Sequence, residues 1–451
     1  MMVRRINYVL CILFIFVCSL FVVCSGSVFA RNYYGIKEAF EEDIPQGAST
    51  LAFVFDITGS MYDDLVQVIE GAARILSTIL ARREKAIHNY VLVPFHDPDI
   101  GPVTITSDPD LFQRHLKELY VQGGGDCPEM SIGAIKLALE VSLPSSHIYV
   151  FTDASSKDYY LLNDVLKLIQ RKQSQIVFVM TGDCGNHSHP GYQAYERIAS
   201  TSSGQVFHLM KSDVDEVLNF VRVSLQARKV NLFAVDRKAG DLKEFEFDVD
   251  GSLREFTVSV SGESPVVTVI NSKGEVIDQS KGLFELLNHK NISIVNIKDP
   301  EPGRWKLRVN SGGAHTIRAT GLSKIDFLHG FSRQPTENLK ETYHRPLKGA
   351  PTYLLVNATD LPEPATFKNV KIIDLEGNSL QNIPLHRFPG SNLFNATKFF
   401  PPDEYFYLKF YHHPSLNHHE DYFELSLIIL KYGQIMRMTP EPHSLQGSHG
   451  P

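Results

Sequence analysis

The stretch FVFDITGSMYDDL, residues 53–65, decides the fold class because two different patterns meet in it. Large apolar residues run through Leu51–Phe55 and stop at Asp56. An unbroken apolar run of this length is typical of a central parallel strand that is buried on both faces. Apolar residues then recur at helical spacing. The stretch therefore predicts a buried strand, a polar loop that starts at Asp56, and a helix.

The same alternation of apolar strands and amphipathic helices continues to about Arg228. Repeated strand–helix units are typical of an α/β domain in which helices cover both faces of a parallel sheet. We therefore predict a doubly wound α/β domain over residues 49–228.

After Arg228 the apolar residues alternate with polar ones, as in Phe245–Val249 and Trp305–Val309. Short alternating strands separated by turn residues are typical of all-β sandwiches. We predict a first β-sandwich at 229–322, a second, Ig-like sandwich at 323–435, and a disordered tail at 436–451 that is rich in Pro, Gly, Ser and His.

The amino terminus has the pattern of a secretory signal peptide. Arg4 and Arg5 precede an apolar stretch at Tyr8–Cys24, and Ala30 is a small residue suited to cleavage. We predict a signal peptide at 1–30 and a lead-in at 31–48. A membrane anchor is the alternative, but the apolar stretch is short for a bilayer span and ends in Ser-Gly-Ser. No later apolar run is long enough to span a bilayer, so we expect no transmembrane segment after signal removal.

The overall charge argues against nucleic acid as a partner. The formal net charge is -7, and no basic stripe interrupts the acidic balance. Nucleic-acid binding relies on clusters of Lys and Arg that neutralise phosphates. The composition instead suits folded, exported domains.

Cysteine and asparagine positions also suit export. Cys127 and Cys184 are the cysteines that remain after the predicted signal, and both follow predicted strands. In an exported chain we favour a disulfide between them, with two free thiols as the alternative. Four Asn-x-Ser/Thr sequons are predicted glycosylation sites: Asn186, Asn291, Asn357 and Asn395.

Three polar loops leave the predicted carboxyl edge of the parallel sheet, where ligands of such sheets bind. They are Asp56-Ile57-Thr58-Gly59-Ser60, then Gly123–Glu129 with Asp126, and Phe151–Ser155 with Asp153. Carboxylates and hydroxyls are hard oxygen ligands suited to Mg²⁺ or Ca²⁺. No set of cysteines and histidines at zinc spacing accompanies the loops.

The first loop alone fits a simple helix cap, because Asp, Thr and Ser are all favoured at that position. Three such loops at one edge favour a divalent-cation site instead. Its predicted ligands are Asp56, Thr58, Ser60, Asp126 and Asp153.

Residues 49–228 resemble a von Willebrand factor A domain with a metal-ion-dependent adhesion site. Asp56, Thr58 and Ser60 match the Asp-x-Ser/Thr-x-Ser pattern of that family, and Asp153 in FTDAS matches its later Asp. The stretches VPFHDPDIGPVTIT and LYVQGGGDCPEMSIGAIKLALE are similar to the hemicentin family, and the two β regions also resemble the part that follows its A domain. The resemblance implies a secreted matrix protein that adheres to extracellular matrix or cell-surface proteins.

The chain departs from the family pattern in two respects. Asp126 stands in the second loop, where a third carboxylate would make the site more negative and less attractive to an acidic partner. We therefore expect the ion to be at least partly structural. The long arrays of immunoglobulin and EGF-like modules of hemicentins do not follow within the 451 residues.

An enzymatic role is the weaker alternative. A hydrolase with Asp56 as its nucleophile would typically have an acid two positions later, where Thr58 stands. A carboxylate-bound metal can activate water, so a metal-dependent hydrolase stays open. A matrix scaffold with a purely structural ion is the nearer competitor, and we expect no enzyme activity.

Overall fold

The computed structural model describes residues 48–81, 87–124, 127–225, 229–249, 251–323, 325–346, 349–361 and 366–413. The predicted signal peptide, nearly all of the lead-in and the predicted tail lie outside the described residues. Among the described residues, no helix combines the length and hydropathy that a membrane span needs.

The amino-terminal part of the described chain alternates strands with helices, as predicted. The strands are β1 (Ser49–Asp56), β2 (Ile87–Phe95), β3 (Thr104–Thr106), β4 (His147–Thr152), β5 (Gln175–Met180) and β6 (Val206–His208). The helices are α1 (Tyr62–Ala81), α2 (Pro109–Lys117), α3 (Ser131–Val141), α4 (Leu162–Lys172), α5 (Pro190–Thr201) and α6 (Val214–Ser224).

The strand order is β3-β2-β1-β4-β5-β6, which places β1 in the middle of the sheet. Every residue of β1 is buried, because separate apolar clusters cover the two faces of the sheet. The α/β fold class is therefore confirmed. Strands β1, β2, β4, β5 and β6 run parallel, so their carboxyl ends share one edge.

Strand β3 corrects the expectation of a purely parallel sheet. It pairs antiparallel with β2, for example Ile105 opposite Val91. Only residues 96–103 separate the two strands, and no helix lies between them. A parallel return needs a crossover of a dozen or more residues, so a link this short favours the antiparallel pairing.

Within the described part of the chain, nine antiparallel strands follow in two sheets. They are β7 (Lys229–Arg237), β8 (Lys243–Val249), β9 (Glu255–Gly262), β10 (Val266–Ile270), β11 (Val276–Ile277), β12 (Leu283–His289), β13 (Ile292–Lys298), β14 (Gly303–Asn310) and β15 (His315–Leu322). The sheet orders are β11-β10-β14-β8 and β12-β13-β9-β15-β7. Trp305, Leu307 and Val309 alternate inward along β14, which explains the period-two pattern in the sequence.

A second all-β part is confirmed by six further strands among the residues that the structure describes. They are β16 (Asp326–Ser332), β17 (Tyr353–Thr359), β18 (Thr366–Ile373), β19 (Ser379–Arg387), β20 (Leu393–Ala396) and β21 (Tyr407–His413). They form an antiparallel sheet in the order β16-β17-β20-β19-β18-β21. The remainder of the predicted domain, up to residue 435, lies outside the described residues.

The three parts pack against one another. One apolar cluster runs through both β regions, and the backbone N–H of Asp236 donates to the carbonyl of Leu375 at 2.7 Å. Leu287 and Ile292 of the β12–β13 hairpin join the apolar cluster that contains Phe220 of α6. The domains therefore share buried surface, and residues at their junction contribute to the stability of more than one of them.

Candidate metal centre

The first polar loop is organised around the carboxylate of Asp56, which is fully buried at the carboxyl end of β1. The backbone N–H and the hydroxyl of Thr58 both donate to Asp56 Oδ1, at 3.0 and 2.8 Å. The hydroxyls of Thr58 and Ser60 lie 3.3 Å apart. The side chains of Asp56, Thr58 and Ser60 thus converge at the edge of the sheet.

The glycine-rich second loop packs directly on the first. The N–H of Gln122 donates to the carbonyl of Ile57 at 2.9 Å, and the N–H of Gly59 donates to that of Gly123 at 3.1 Å. Gly124 has a φ of +79°, and a Cβ there would lie 3.0 Å from the Cβ of Thr58. Glycine is required because the close approach and the left-handed backbone both exclude a side chain. Asp126 itself lies outside the described residues.

The third loop joins the first through Thr152, which ends β4. Its hydroxyl donates to Asp56 Oδ2 at 2.7 Å, so both carboxylate oxygens of Asp56 accept hydrogen bonds. Asp153 follows, and its negative charge acts on Asp56. Gly182 permits this arrangement, because a Cβ there would lie 2.5 Å from the carbonyl oxygen of Asp153.

The charge of Asp56 is poorly compensated by its immediate neighbours. Burial raises its pKa from 3.8 to about 6, and the hydrogen bonds from Thr58 and Thr152 offset this only in part. A buried carboxylate is stable in its ionised form when a positive charge lies beside it. The atoms at this edge that could bind a metal are carboxylate and hydroxyl oxygens, which are ligands suited to Mg²⁺ or Ca²⁺.

Two charged residues of this edge are missing from the sequence-based prediction. The amine of Lys211 lies 3.1 Å from Asp153 Oδ2 and 3.3 Å from Asp64 Oδ2, and it also donates to the carbonyl of Ser60. Burial opposes the charged amine, but the contacts with Asp153 and Asp64 outweigh it and raise the pKa of Lys211. Asp64 on α1 is buried and also accepts from the hydroxyl of Thr181 at 2.8 Å.

The position of Lys211 after β6 is the feature of the sequence from which its place at this edge could have been predicted. The carboxyl ends of parallel strands share one edge of the sheet, and residue 211 follows the carboxyl end of β6 at the same edge as the loops after β1 and β4. Asp64 has a weaker signature, since only its spacing of four residues from Ser60 places it on the same side of the first helical turn.

The structure joins Cys127 and Cys184 in a disulfide bond, with Cα atoms 5.9 Å apart. The backbone N–H and hydroxyl of Ser155 also contact the sulfur of Cys184, at 3.2 and 3.3 Å. The second loop, the third loop and the loop after β5 are therefore tied together at one edge. The predicted pairing and its predicted location both agree with this geometry.

The four predicted glycosylation sites occupy different surroundings. Asn186 is exposed in the loop after β5. Asn291 is partly exposed in the turn between β12 and β13, while Asn357 and Asn395 are partly exposed within β17 and β20. Glycosylation at these positions stays a prediction, and exposure favours Asn186 among them.

Family comparisons agree with this geometry. Residues 50–211 match the von Willebrand factor A domain family, and residues 229–324 match the family described as hemicentin galactose-binding domain-like. The central strand ending at Asp56 and the oxygen-rich loops of this edge thus belong to a von Willebrand factor A domain.

Individual relatives extend the match beyond this domain. The chain is 56% identical to Hemicentin-1 of Mus musculus over 377 residues, which is 83% of this chain. It is 50% identical to Hemicentin-2 of Mus musculus over 367 residues, or 80% of this chain. It is 32% identical to von Willebrand factor A domain-containing protein 7 of Homo sapiens over 75% of this chain and 40% of that relative. The chain is therefore a hemicentin-like protein with an N-terminal von Willebrand factor A domain. It spans 7% of the length of each of these two hemicentins.

Proposed function

We propose that this chain is a secreted extracellular-matrix adhesion or structural protein that binds a divalent cation at the carboxyl edge of its A-domain sheet. The observation that carries the proposal is the fully buried Asp56 carboxylate, which lies beside Thr58, Ser60 and Asp153. A cation at this position compensates the charge that burial leaves on Asp56. The proposed ligands are Asp56, Thr58, Ser60, Asp126 and Asp153.

Each residue has a definite task in this proposal. Asp56 supplies the central carboxylate, and Thr152 holds it in place through the 2.7 Å hydrogen bond to Oδ2. The hydroxyls of Thr58 and Ser60 add neutral ligands, and Asp126 adds a further carboxylate. A bound Mg²⁺ or Ca²⁺ ion supplies a positive centre for an acidic group of a partner. The charge of Asp126 weakens that attraction, so the ion also has a structural role.

The proposed location follows from the sequence and from the relatives. The predicted signal peptide at 1–30 directs the chain to export, and the disulfide between Cys127 and Cys184 suits an oxidising compartment. The resemblance to hemicentins implies the extracellular matrix, with matrix or cell-surface proteins as partners. For a chain similar to these families we propose an adhesion or structural role and no enzymatic reaction.

Retention on extracellular matrix tests the proposal. The full secreted chain is applied to cell-derived matrix in Mg²⁺ and Ca²⁺, with and without EDTA, beside the Asp56→Ala variant. We expect EDTA and Asp56→Ala each to reduce the retained protein at least about tenfold, because a carboxylate ligand makes a large contribution to cation affinity. Asp99→Ala is the matched control, since Asp99 is an exposed acid after the neighbouring strand β2.

Equal retention of all variants in all buffers would overturn metal-dependent adhesion. If EDTA lowered the melting temperature without changing retention, the ion would be structural and the β domains would carry the binding. These two outcomes distinguish a metal-dependent adhesion protein from a matrix scaffold whose ion is purely structural.

Lys211 gives a second prediction for the same site. Its amine lies beside Asp153 and Asp64, so its positive charge repels a divalent cation bound nearby. We expect Lys211→Met to tighten Mg²⁺ binding about tenfold, which corresponds to roughly 1.4 kcal/mol. Calorimetric titration of the EDTA-treated chain measures this change.

Lys167→Met is the control for the loss of a lysine charge, because Lys167 lies on α4, where its amine pairs with Asp164. The control is expected to leave Mg²⁺ affinity unchanged. Weaker Mg²⁺ binding by Lys211→Met would show that Lys211 supports the site rather than opposing the ion.

A further inference from the structure

A second cluster of potential ligands lies at the same edge of the sheet, beside the loop after β5. It consists of Asp183, His187 and His208, whose ligand atoms all lie within 4.8 Å of one another. His187 is exposed, while Asp183 and His208 are half-buried. None of the three belongs to the oxygen-rich site around Asp56.

The loop that carries Asp183 and His187 is held in place by its own contacts. The disulfide fixes Cys184 between them, and the N–H of Gly185 donates to Asp183 Oδ1 at 2.7 Å. The N–H of His189 donates to the carbonyl of Asn186 at 3.1 Å, which closes the loop just before α5. Little conformational freedom therefore has to be lost when this loop binds a ligand.

His208 approaches from a different element, the end of β6. The ring of His187 stacks on Tyr192, with centroids 4.2 Å apart and planes 11° apart, and it lies 5.3 Å from the ring of His208. The hydroxyl of Tyr192 lies 2.6 Å from His208 Nε2. Tyr192 thereby contacts both imidazoles.

The charges around the cluster suit a cation. His187 contacts Asp183 Oδ2 directly, and the negative charge of Glu196 also acts on His187. The ligand atoms of Asp183 and His208 also lie within 4.8 Å of each other, so the two imidazoles share one acidic neighbour.

We propose that Asp183, His187 and His208 form a zinc site that is separate from the Mg²⁺ or Ca²⁺ site of the A domain. Two imidazole nitrogens and one carboxylate oxygen are a ligand set typical of Zn²⁺, whereas Mg²⁺ and Ca²⁺ prefer oxygen ligands alone. Three protein ligands leave a coordination position for water or for a group of a partner.

The position of the cluster gives the site a structural consequence. His187, Tyr192 and His208 line a cleft of about 860 Å³ whose other walls include Glu263 of the first β region and Glu376 of the second. Zinc held here would fix the loop 181–189 to β6 at the wall of this cleft. The ion would also rigidify the segment that carries the predicted glycosylation site Asn186.

Zinc titration of the full secreted chain tests the proposal. The Asp56→Ala variant is used as the parent, because it removes a ligand of the other proposed cation site. Equilibrium dialysis against ZnCl₂ at pH 7.5 is expected to show that this parent binds Zn²⁺ tightly. Adding His187→Ala is expected to weaken the zinc affinity at least a hundredfold. His187 is exposed, so this substitution is expected to leave the melting temperature of the metal-free chain unchanged.

Two controls make the result specific to this cluster. His115→Ala removes a histidine of α2 whose side chain is 41% exposed, and it should leave the tight zinc unaffected. Alanine at His412, His413, His418 and His419 removes the histidine-rich stretch FYHHPSLNHHED, and the tight zinc should persist. If His187→Ala bound zinc like its parent, or if the tight zinc disappeared with the histidine-rich stretch, the proposal would be wrong.

Discussion

Asp56→Asn is expected to stabilise the EDTA-treated chain at pH 7 by about 1 to 3 kcal/mol, while removing its tight binding of Mg²⁺. Burial raises the pKa of Asp56 from 3.8 to about 6, so ionising the folded chain costs free energy that ionising the unfolded chain does not. The difference between these two pKa values corresponds to roughly 3 kcal/mol, which is the upper limit of the gain in stability. Asparagine keeps the shape of the side chain and carries no charge.

The sign of the effect depends on pH. The unfolded chain releases the proton of Asp56 near its usual pKa of 3.8, and the folded chain holds it until about pH 6. Below about pH 4 the carboxyl group of Asp56 is protonated in both states, so it does not lower the free energy of unfolding. As the pH rises to about 6, its ionisation lowers the free energy of unfolding progressively. The difference in unfolding free energy between Asp56→Asn and the parent should vanish near pH 4 and reach its full size above pH 6.

Chemical denaturation in EDTA at several pH values measures this difference. Saturating Mg²⁺ should then reverse the order, because the parent gains stability from the bound ion and Asp56→Asn does not. The exposed Asp99→Asn serves as the control and should follow the parent in both buffers. An Asp56→Asn chain that was less stable than its parent in EDTA at pH 7 would contradict the account of a poorly compensated buried charge.

Arg318→Ala is expected to destabilise the chain by about 3 to 5 kcal/mol, because it removes a buried charge at the junction of the A domain and the first β region. Arg318 is 4% exposed, and its guanidinium lies 2.6 Å from Asp236 Oδ1. It also donates to the carbonyl of Gly204 at 3.1 Å and to that of Val235 at 3.1 Å. Alanine leaves Asp236 without this cation and leaves these carbonyls without this donor.

Arg308→Ala is the matched control on β14. The side chain of Arg308 is 45% exposed and its ion pair with Glu244 spans 3.0 Å. An exposed pair of this kind contributes about 1 kcal/mol at most. Urea denaturation should separate the two variants by at least about 2 kcal/mol. A loss below about 1 kcal/mol for Arg318→Ala would show that the junction does not depend on this charge.

The sequence alone was sufficient for the fold class, and it supplied the hypothesis of a metal site. The apolar run through Leu51–Phe55 requires burial on both faces, and such a strand has its place in the middle of a covered parallel sheet. The strand ends at Asp56, and this end marks the edge of the sheet at which the proposed ligands were expected. The cysteine pairing could be anticipated because Cys127 and Cys184 are the two cysteines that remain after the predicted signal peptide. In the structure Cys184 follows β5 at this edge, whereas Cys127 lies between the helices α2 and α3.

The antiparallel edge strand β3 was harder to predict from its own residues. Three residues carry too little pattern to state a direction, and the short link after β2 was the informative feature. The loop between residues 96 and 103 contains no helix, so the chain returns antiparallel.

The sequence by itself determined which segments form the buried strands, because burial on two faces, or on one face, leaves a periodic pattern in the chain. Only the tertiary structure decided that Lys211 lies beside Asp153, that His208 meets His187, and that Arg318 reaches Gly204. Each of these contacts joins residues that are 21 or more positions apart in the sequence. Such contacts depend on the order of strands in the sheet and on the packing of the domains, and neither leaves a local pattern in the chain.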